Sequence, residues 1–303
     1  MWSGWVTDAG AATARRRFLR VRRELRPYVQ FGFALPDYRR RGPRAVRRLP
    51  TARATIYFAV DVRGPSLGFR QVTGVFCEGP HSKGFRVAHE CAEMVAVKVR
   101  AGGLSALLGV AAKDLRDATV SLEDVWGRDA LRLAERLAEA TSAEERFEKL
   151  QAELVRRVSA GPRGESVALE LCRSIESDES MCRARVRHVV ERSGYCHRSV
   201  LERFDQSVGL TPKQHARVTR LRGAAARLAA SPGRFAAVAA ASGYYDQAHM
   251  IHEFQALVGL PPGKFVELRR TFSPMGSPAS GRGAVPRREQ ALYQSLGLVS
   301  RWV

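Results

Sequence analysis

The feature that most limits the fold of this chain is an internal repeat of about 50 residues in its second half. Phe204 and Phe254, Gly209-Leu210 and Gly259-Leu260, and Pro212 and Pro262 recur at that interval, and Gly194 and Gly243 recur one residue short of it. A short-period repeat means one supersecondary unit used more than once. Ahead of each glycine lies a small amphipathic stretch, with Val186, Val189 and Val190 in the first copy and Phe235, Val238 and Ala239 in the second. Both sets stand at i, i+3, i+4, which is one face of a helix.

Each glycine comes four residues after that face ends and just before a second helical stretch. A tight turn there needs positive φ, which glycine adopts without Cβ strain. The second helix opens at Asp246 in one copy, a good N-cap, and at Cys196 in the other, a poor one. Helix, glycine turn, helix is the helix-turn-helix pattern. A single copy can be imitated by any helical hairpin; two copies with the same downstream Gly-Leu-x-Pro are far more specific. Val200, Phe204, Met250 and Phe254 are spaced to pack on the preceding helices and are expected in the core. Residues 211–229 between the copies have the length of a strut, 19 residues at about 1.5 Å each giving roughly 28 Å.

The most specific stretch runs from Ala239 to Phe265. With Gly243, Tyr244, Asp246, Ala248, Met250, Phe254, Gly259 and Pro262 it resembles the AraC/XylS family of bacterial transcription regulators. Arg220-Leu221 through Ala225 and Leu228 resembles that family's linker helix, and Arg198, Val200, Arg203 and Phe204 fit the first copy loosely. The middle of the chain is similar to an N-terminal domain that accompanies some of these regulators. That similarity rests on Val97-Lys98-Val99-Arg100-Ala101-Gly102-Gly103, Leu107-Leu108-Gly109-Val110 and Leu122-Glu123-Asp124-Val125-Trp126-Gly127.

The resemblance implies two recognition helices entering successive major-groove segments of double-stranded DNA, whose spacing is about 34 Å per turn. It places Arg198, Ser199, Glu202 and Arg203 of the first unit, and Gln247, His249 and His252 of the second, at DNA-facing positions. Arg198 suits guanine or a phosphate, and Gln247 suits adenine. A solvated helix face is the plain alternative for each. Glu202 and His252 depart from the family, which commonly has Arg two residues before each Phe. Val190 stands where the family prefers Ala.

The rest of the chain reads differently. Residues 53–62, 68–77 and 94–100 are rich in Val, Phe, Ile and Tyr between Gly-Pro or Gly-Gly pairs, as strands are. A short apolar helix follows over Leu104–Val110, a cap at Ser121-Leu122-Glu123-Asp124, and a helical pattern from Asp129 to Val158. The fold class expected is therefore an α+β N-terminal domain, strands then helices, followed by an all-α double helix-turn-helix domain. The boundaries read as 1–52 for an Arg-rich segment, 53–160 for the α+β domain, 165–270 for the double unit and 271–303 for a flexible tail, with Gly161-Pro162-Arg163-Gly164 as linker.

Charge sharpens this division. The chain carries a formal +20, of which the first 53 residues hold +11 and residues 54–162 none. Runs such as Arg15-Arg16-Arg17 and Arg39-Arg40-Arg41 read either as a solvated arm or as a phosphate-binding one. The arm leaves open an alternative function, a general electrostatic DNA-binding protein of the nucleoid type. A third reading is an interaction protein whose neutral domain holds a partner.

Other classes fare less well. Five scattered cysteines make no disulfide framework, and the Cys77–Cys91 and Cys172–Cys182 spacings are not those of zinc modules. His81 and His89 in the strand region do not complete a metal site, and Gly102-Gly103 lacks the Lys-Ser/Thr of a phosphate-binding loop. No nucleophile–base pair is identifiable, so neither an enzyme nor a cofactor is expected. With no secretory signal and no long apolar run the chain reads as soluble, cytoplasmic and without membrane contact. A small-molecule effector and a homodimer contact are further expectations for the N-terminal domain.

Overall fold

The computed structural model describes residues 17–36, 46–62, 72–87, 91–160, 166–177 and 182–272. The first half is built on a six-stranded antiparallel sheet. Its strands are β1 (Arg17–Leu19), β2 (Val29–Pro36), β4 (Thr55–Val62), β5 (Val72–Glu78), β7 (Glu93–Val99) and β8 (Thr119–Ser121), in the order β1-β2-β7-β4-β5-β8. A separate ribbon pairs β3 (Val46–Arg48) with β6 (Phe85–Val87).

Alternation along β4 divides the sheet into two faces, as a period of two requires. Ile56 and Phe58 point into the main core, while Tyr57 and Ala59 join Phe33, Leu35 and Phe76 on the other side. The main core is closed by α1 (Leu104–Leu108), α3 (Arg128–Ala138) and α4 (Ala143–Ala160). These bring Leu107, Leu133, Leu137, Phe147, Leu150 and Leu154 onto the sheet. The one-turn helix α2 (Glu123–Trp126) seats Trp126, whose indole N–H donates to the Leu108 carbonyl at 3.1 Å while the Arg157 guanidinium covers the ring.

The expected boundary at residue 53 does not hold. β2 sits inside the sheet, paired to both β1 and β7, so residues 17–36 and 46–52 belong to the sheet domain rather than to a separate arm. Three of the arginines described there are held in ion pairs. Arg17 pairs with Glu144, Arg22 with Glu148 at 2.9 Å, and Arg48 reaches both oxygens of the buried Glu78 at 3.0 Å. Phe31, Phe33 and Leu35 line one face of β2 while Val29, across an irregularity in register, joins the main core, and burying these side chains outweighs the solvation of neighbouring arginines. Arg15-Arg16, Arg39-Arg40-Arg41, His89, the 161–164 linker and the tail from 273 lie outside the described residues.

The second half is helical: α5 (Ser166–Ser177), α6 (Cys182–Ser193), α7 (His197–Val208), α8 (Pro212–Ala230), α9 (Phe235–Ala241), α10 (Gln247–Val258) and α11 (Pro262–Phe272). α8 joins two separate cores. Its early residues Ala216 and Val218 pack with Val186, Val189, Val200 and Phe204, and its later Leu221, Ala224, Ala225 and Leu228 pack with Val238, Met250 and Phe254. Among the described residues no helix is long and apolar enough to cross a membrane.

The sheet domain touches both helical cores. Leu49 inserts into the second and Ala52 and Ala101 into the first, while an Arg222 Nη1–H donates to the Pro50 carbonyl at 3.3 Å. Arg116 donates to the Gly209 carbonyl and to the Asp205 carboxylate at the end of α7. The Gly84 N–H donates to the Leu257 carbonyl at the end of α10, at 2.6 Å. The carbonyls that a helix leaves without intrahelical partners at its C-terminus are thus answered from the sheet domain.

Candidate nucleic-acid interface

The two repeats form the same local structure. In the first, α6 ends at Ser193, Gly194 turns with φ +71°, and α7 starts after Cys196. In the second, α9 ends at Ala241, Gly243 turns with φ +68°, and α10 starts after Asp246. Both α7 and α10 are 12 residues long and both close on a left-handed glycine, Gly209 and Gly259. Val200, Phe204, Met250 and Phe254 are all buried, which fixes the inner face of each second helix.

α8 sets the separation of the two units. Thr211 caps it, its hydroxyl accepting from the Gln214 N–H while the Gln214 side chain accepts from the Thr211 N–H, and Pro212 occupies the first turn. Its 19 residues span roughly 28 Å at about 1.5 Å each. Further contacts tie it to the second unit: Arg217 Nε donates to the buried Glu253 carboxylate at 2.7 Å and Arg227 to the Ser242 hydroxyl at 3.3 Å. The strut is therefore fixed to the recognition helix it presents.

The residues expected to face DNA lie on the outer parts of α7 and α10. Arg198, Glu202, Gln247, His249 and His252 are exposed, and Ser199 and Arg203 half-buried. Within the first unit, the Arg203 guanidinium stacks over the Tyr195 ring at 4.2 Å, and the Ser199 hydroxyl contacts the Cys196 thiol at 3.2 Å. That hydrogen bond holds the exposed Cys196 thiol below its usual range. Within the second, Asp246 caps α10 by accepting from the His249 N–H at 2.7 Å. The His249 Nδ1 accepts from the Tyr245 N–H at 3.4 Å, and its ring meets Tyr244 edge-on. Sequence reasoning passed over Tyr195 and Tyr245, although they too stand 50 residues apart.

The remaining reactive side chains of the sheet domain are dispersed. Cys77 packs in the main core and Cys91 on the opposite face of the sheet, while His81 stacks on Phe85. Among the described residues no three His, Cys, Asp or Glu side chains are placed to hold a metal ion.

Comparison with known proteins bears on the helical half. A family model described as a helix-turn-helix domain matches residues 189–268. Solved structures similar to the chain include the C-terminal domain of AraT, a response regulator from Geobacillus stearothermophilus, at 19% identity and a TM-score of 0.32, covering 40% of this chain and 97% of that one. They also include ToxT from Vibrio cholerae O395, at 8% identity and a TM-score of 0.38, covering 78% of this chain and 96% of that one. No curated protein matches the sequence. Residues 189–268, which span α7 to α10 and the glycine turns before α7 and α10, are thus a helix-turn-helix domain.

Proposed function

We propose that this chain regulates transcription by reading two successive major-groove segments on one face of double-stranded DNA, one with each recognition helix. The observation that carries this reading is the division of α8, whose first half is built into one unit's core and whose second half into the other's. Two rigidly joined units with exposed outer helix faces suit a bipartite site whose half-site centres lie about one helical turn apart. In this reading Arg198, Ser199, Glu202 and Arg203 address one segment and Gln247, His249 and His252 the other. Arg198 pairs with guanine or a phosphate and Gln247 with adenine.

The sheet domain contacts both units, so an effector that binds one arrangement of domain and units better than another shifts DNA affinity. Self-association through the same domain would double the number of segments read.

The test is selection of binding sites from a random duplex pool with the full chain at about 150 mM salt, where phosphate-only binding is already weakened. Two short conserved segments with centres about 10 base pairs apart are expected. Arg198→Ala and Gln247→Ala should each relax one position, at about 1–3 kcal/mol per lost bidentate contact. Enrichment of no motif at all would overturn the reading.

A further inference from the structure

Phe18, Leu131, Tyr195 and Tyr245 are the large apolar side chains that stand exposed among the described residues. Two of these four occupy one position in the repeat. Tyr195 directly precedes Cys196, the N-cap of α7, and Tyr245 directly precedes Asp246, the N-cap of α10. A residue at that place commonly folds back on the fourth residue of the helix and fixes the entry angle of the chain. Here the fourth residues, Val200 and Met250, are buried, yet the rings stay outside, Tyr245 at 93% exposure and Tyr195 at 40%. In the second unit the neighbouring Tyr244 is the buried ring. Packing under Arg203 covers part of the Tyr195 ring, but among the described residues nothing comparable covers Tyr245.

Resting on the DNA-reading function above, we propose that Tyr195 and Tyr245 are DNA-backbone contacts, one at the mouth of each recognition helix. The start of a recognition helix points toward the base edges, and a residue one place before the cap lies level with the phosphates at the groove wall. The helix N-terminus makes that place favourable for an anion. A phenol has an O–H donor for a phosphate oxygen and a flat apolar face for the sugar, and it carries no charge of its own. The surroundings match a polyanion in the first unit, where Arg192 and Arg198 are exposed and Arg203 stacks on Tyr195. That stack pins the Tyr195 ring before DNA arrives. The Tyr245 ring stands almost wholly in solvent, while its backbone N–H donates to His249 Nδ1. The pair brackets both reading heads alike and adds affinity without adding sequence preference.

The experiment uses the full chain and the best duplex from the selection described above, with binding read by fluorescence anisotropy at about 150 mM salt. Tyr245→Ala should weaken binding about tenfold, the equivalent of roughly 1.4 kcal/mol, and Tyr245→Phe, which keeps the ring and loses the donor, about threefold. Tyr195→Phe keeps the ring under Arg203 and should also lose about threefold. Thermal stability should be unchanged in all three, and site selection repeated with Tyr245→Ala should return the same motif. Unaltered affinity of Tyr245→Ala would overturn the proposal, as would a motif changed at one base position, which would make the tyrosine a base reader. If the unsubstituted chain binds every duplex alike, the two-segment reading falls, while the affinities of the same variants still decide the backbone contact.

Discussion

The two helix-turn-helix units share a turn, a helix length and a left-handed terminal glycine, and they differ in what surrounds those parts. The second unit supplies its own cap and helix end, although Leu49 and Gly84 of the sheet domain also touch it. Asp246 caps its second helix, the Phe265 ring lies tilted beside Phe254 at 5.8 Å, and Gly259 ends the helix at the surface. The first unit leans on its surroundings. Cys196 makes no capping bond to the backbone, His215 takes the place of Phe265 beside Phe204 at the same 5.8 Å, and Gly209 is pressed against the sheet domain. The sheet domain thus touches both copies, but only in the first does it press on the glycine that ends the second helix.

The largest effect expected from this contrast is at the terminal glycines. Both have φ near +75°, a conformation that costs an L-residue roughly 1–2 kcal/mol. At Gly209 a Cβ would also stand 2.7 Å from the Ala112 carbonyl oxygen and 2.5 Å from Pro80 Cγ, and the former is backbone that cannot swing aside. Overpacking of that kind adds about 1–3 kcal/mol. Gly209→Ala should therefore cost about 3 kcal/mol in urea unfolding and Gly259→Ala about 1 kcal/mol. Equal costs would mean that the domain seam bears no load in solution.

The His215–Phe265 exchange gives the next effect, and it depends on pH. Burial lowers the His215 pKa to about 4, with the Glu176 carboxylate opposing and the Arg53 guanidinium reinforcing the shift. An unfolded histidine titrates near 6.5. Between these values the unfolded chain binds a proton that the folded chain refuses, so stability falls as pH drops from about 6.5 to about 4 and the loss then levels off. The full loss is on the order of 3 kcal/mol. His215→Phe gives the first unit the second unit's ring pair and should remove that loss. Hydrogen-exchange protection of α7 and α8 at pH 4.5 relative to pH 7.5 measures it. An acid sensitivity that survives the substitution would assign it to other groups.

How much of this could be read in the sequence follows from the range of the interactions involved. The double unit was legible because its signals are local and stated twice: the glycine turns, the i, i+3, i+4 faces and the core positions Val200, Phe204, Met250 and Phe254 all stand where the repeat puts them. β4, β5 and β7 were legible as apolar runs. β1, β3, β6 and β8 have three residues each, too few to show a period of two. β2 alternates plainly over Phe31, Phe33 and Leu35, but it lies among arginines whose partners Glu144, Glu148 and Glu78 are far away in the chain. Counting charge hid a strand. The seam was not legible at all, since nothing near Leu49 announces that its side chain completes a core made of residues 221–266.

The smallest effects concern the caps, and here the two units should respond in opposite directions. The Asp246 carboxylate answers the His249 N–H at 2.7 Å. Asp246→Ala should cost about 1 kcal/mol, with loss of exchange protection confined to the first turn of α10. Cys196 already has the extended backbone of a capping residue, with φ −69° and ψ 157°, so only the acceptor is missing. Cys196→Ser supplies one without changing the shape or adding a negative charge near phosphate, and should stabilise the start of α7 by about 0.5 kcal/mol. A firmer α7 needs less support from Arg116, which holds its other end through Asp205 and Gly209. Combining Cys196→Ser with Arg116→Ala should therefore cost less than the two separate effects added together, a coupling that a double-mutant cycle measures directly. Strict additivity would show that the two ends of α7 are held independently, and that the sheet domain's grip does not reach the start of the helix.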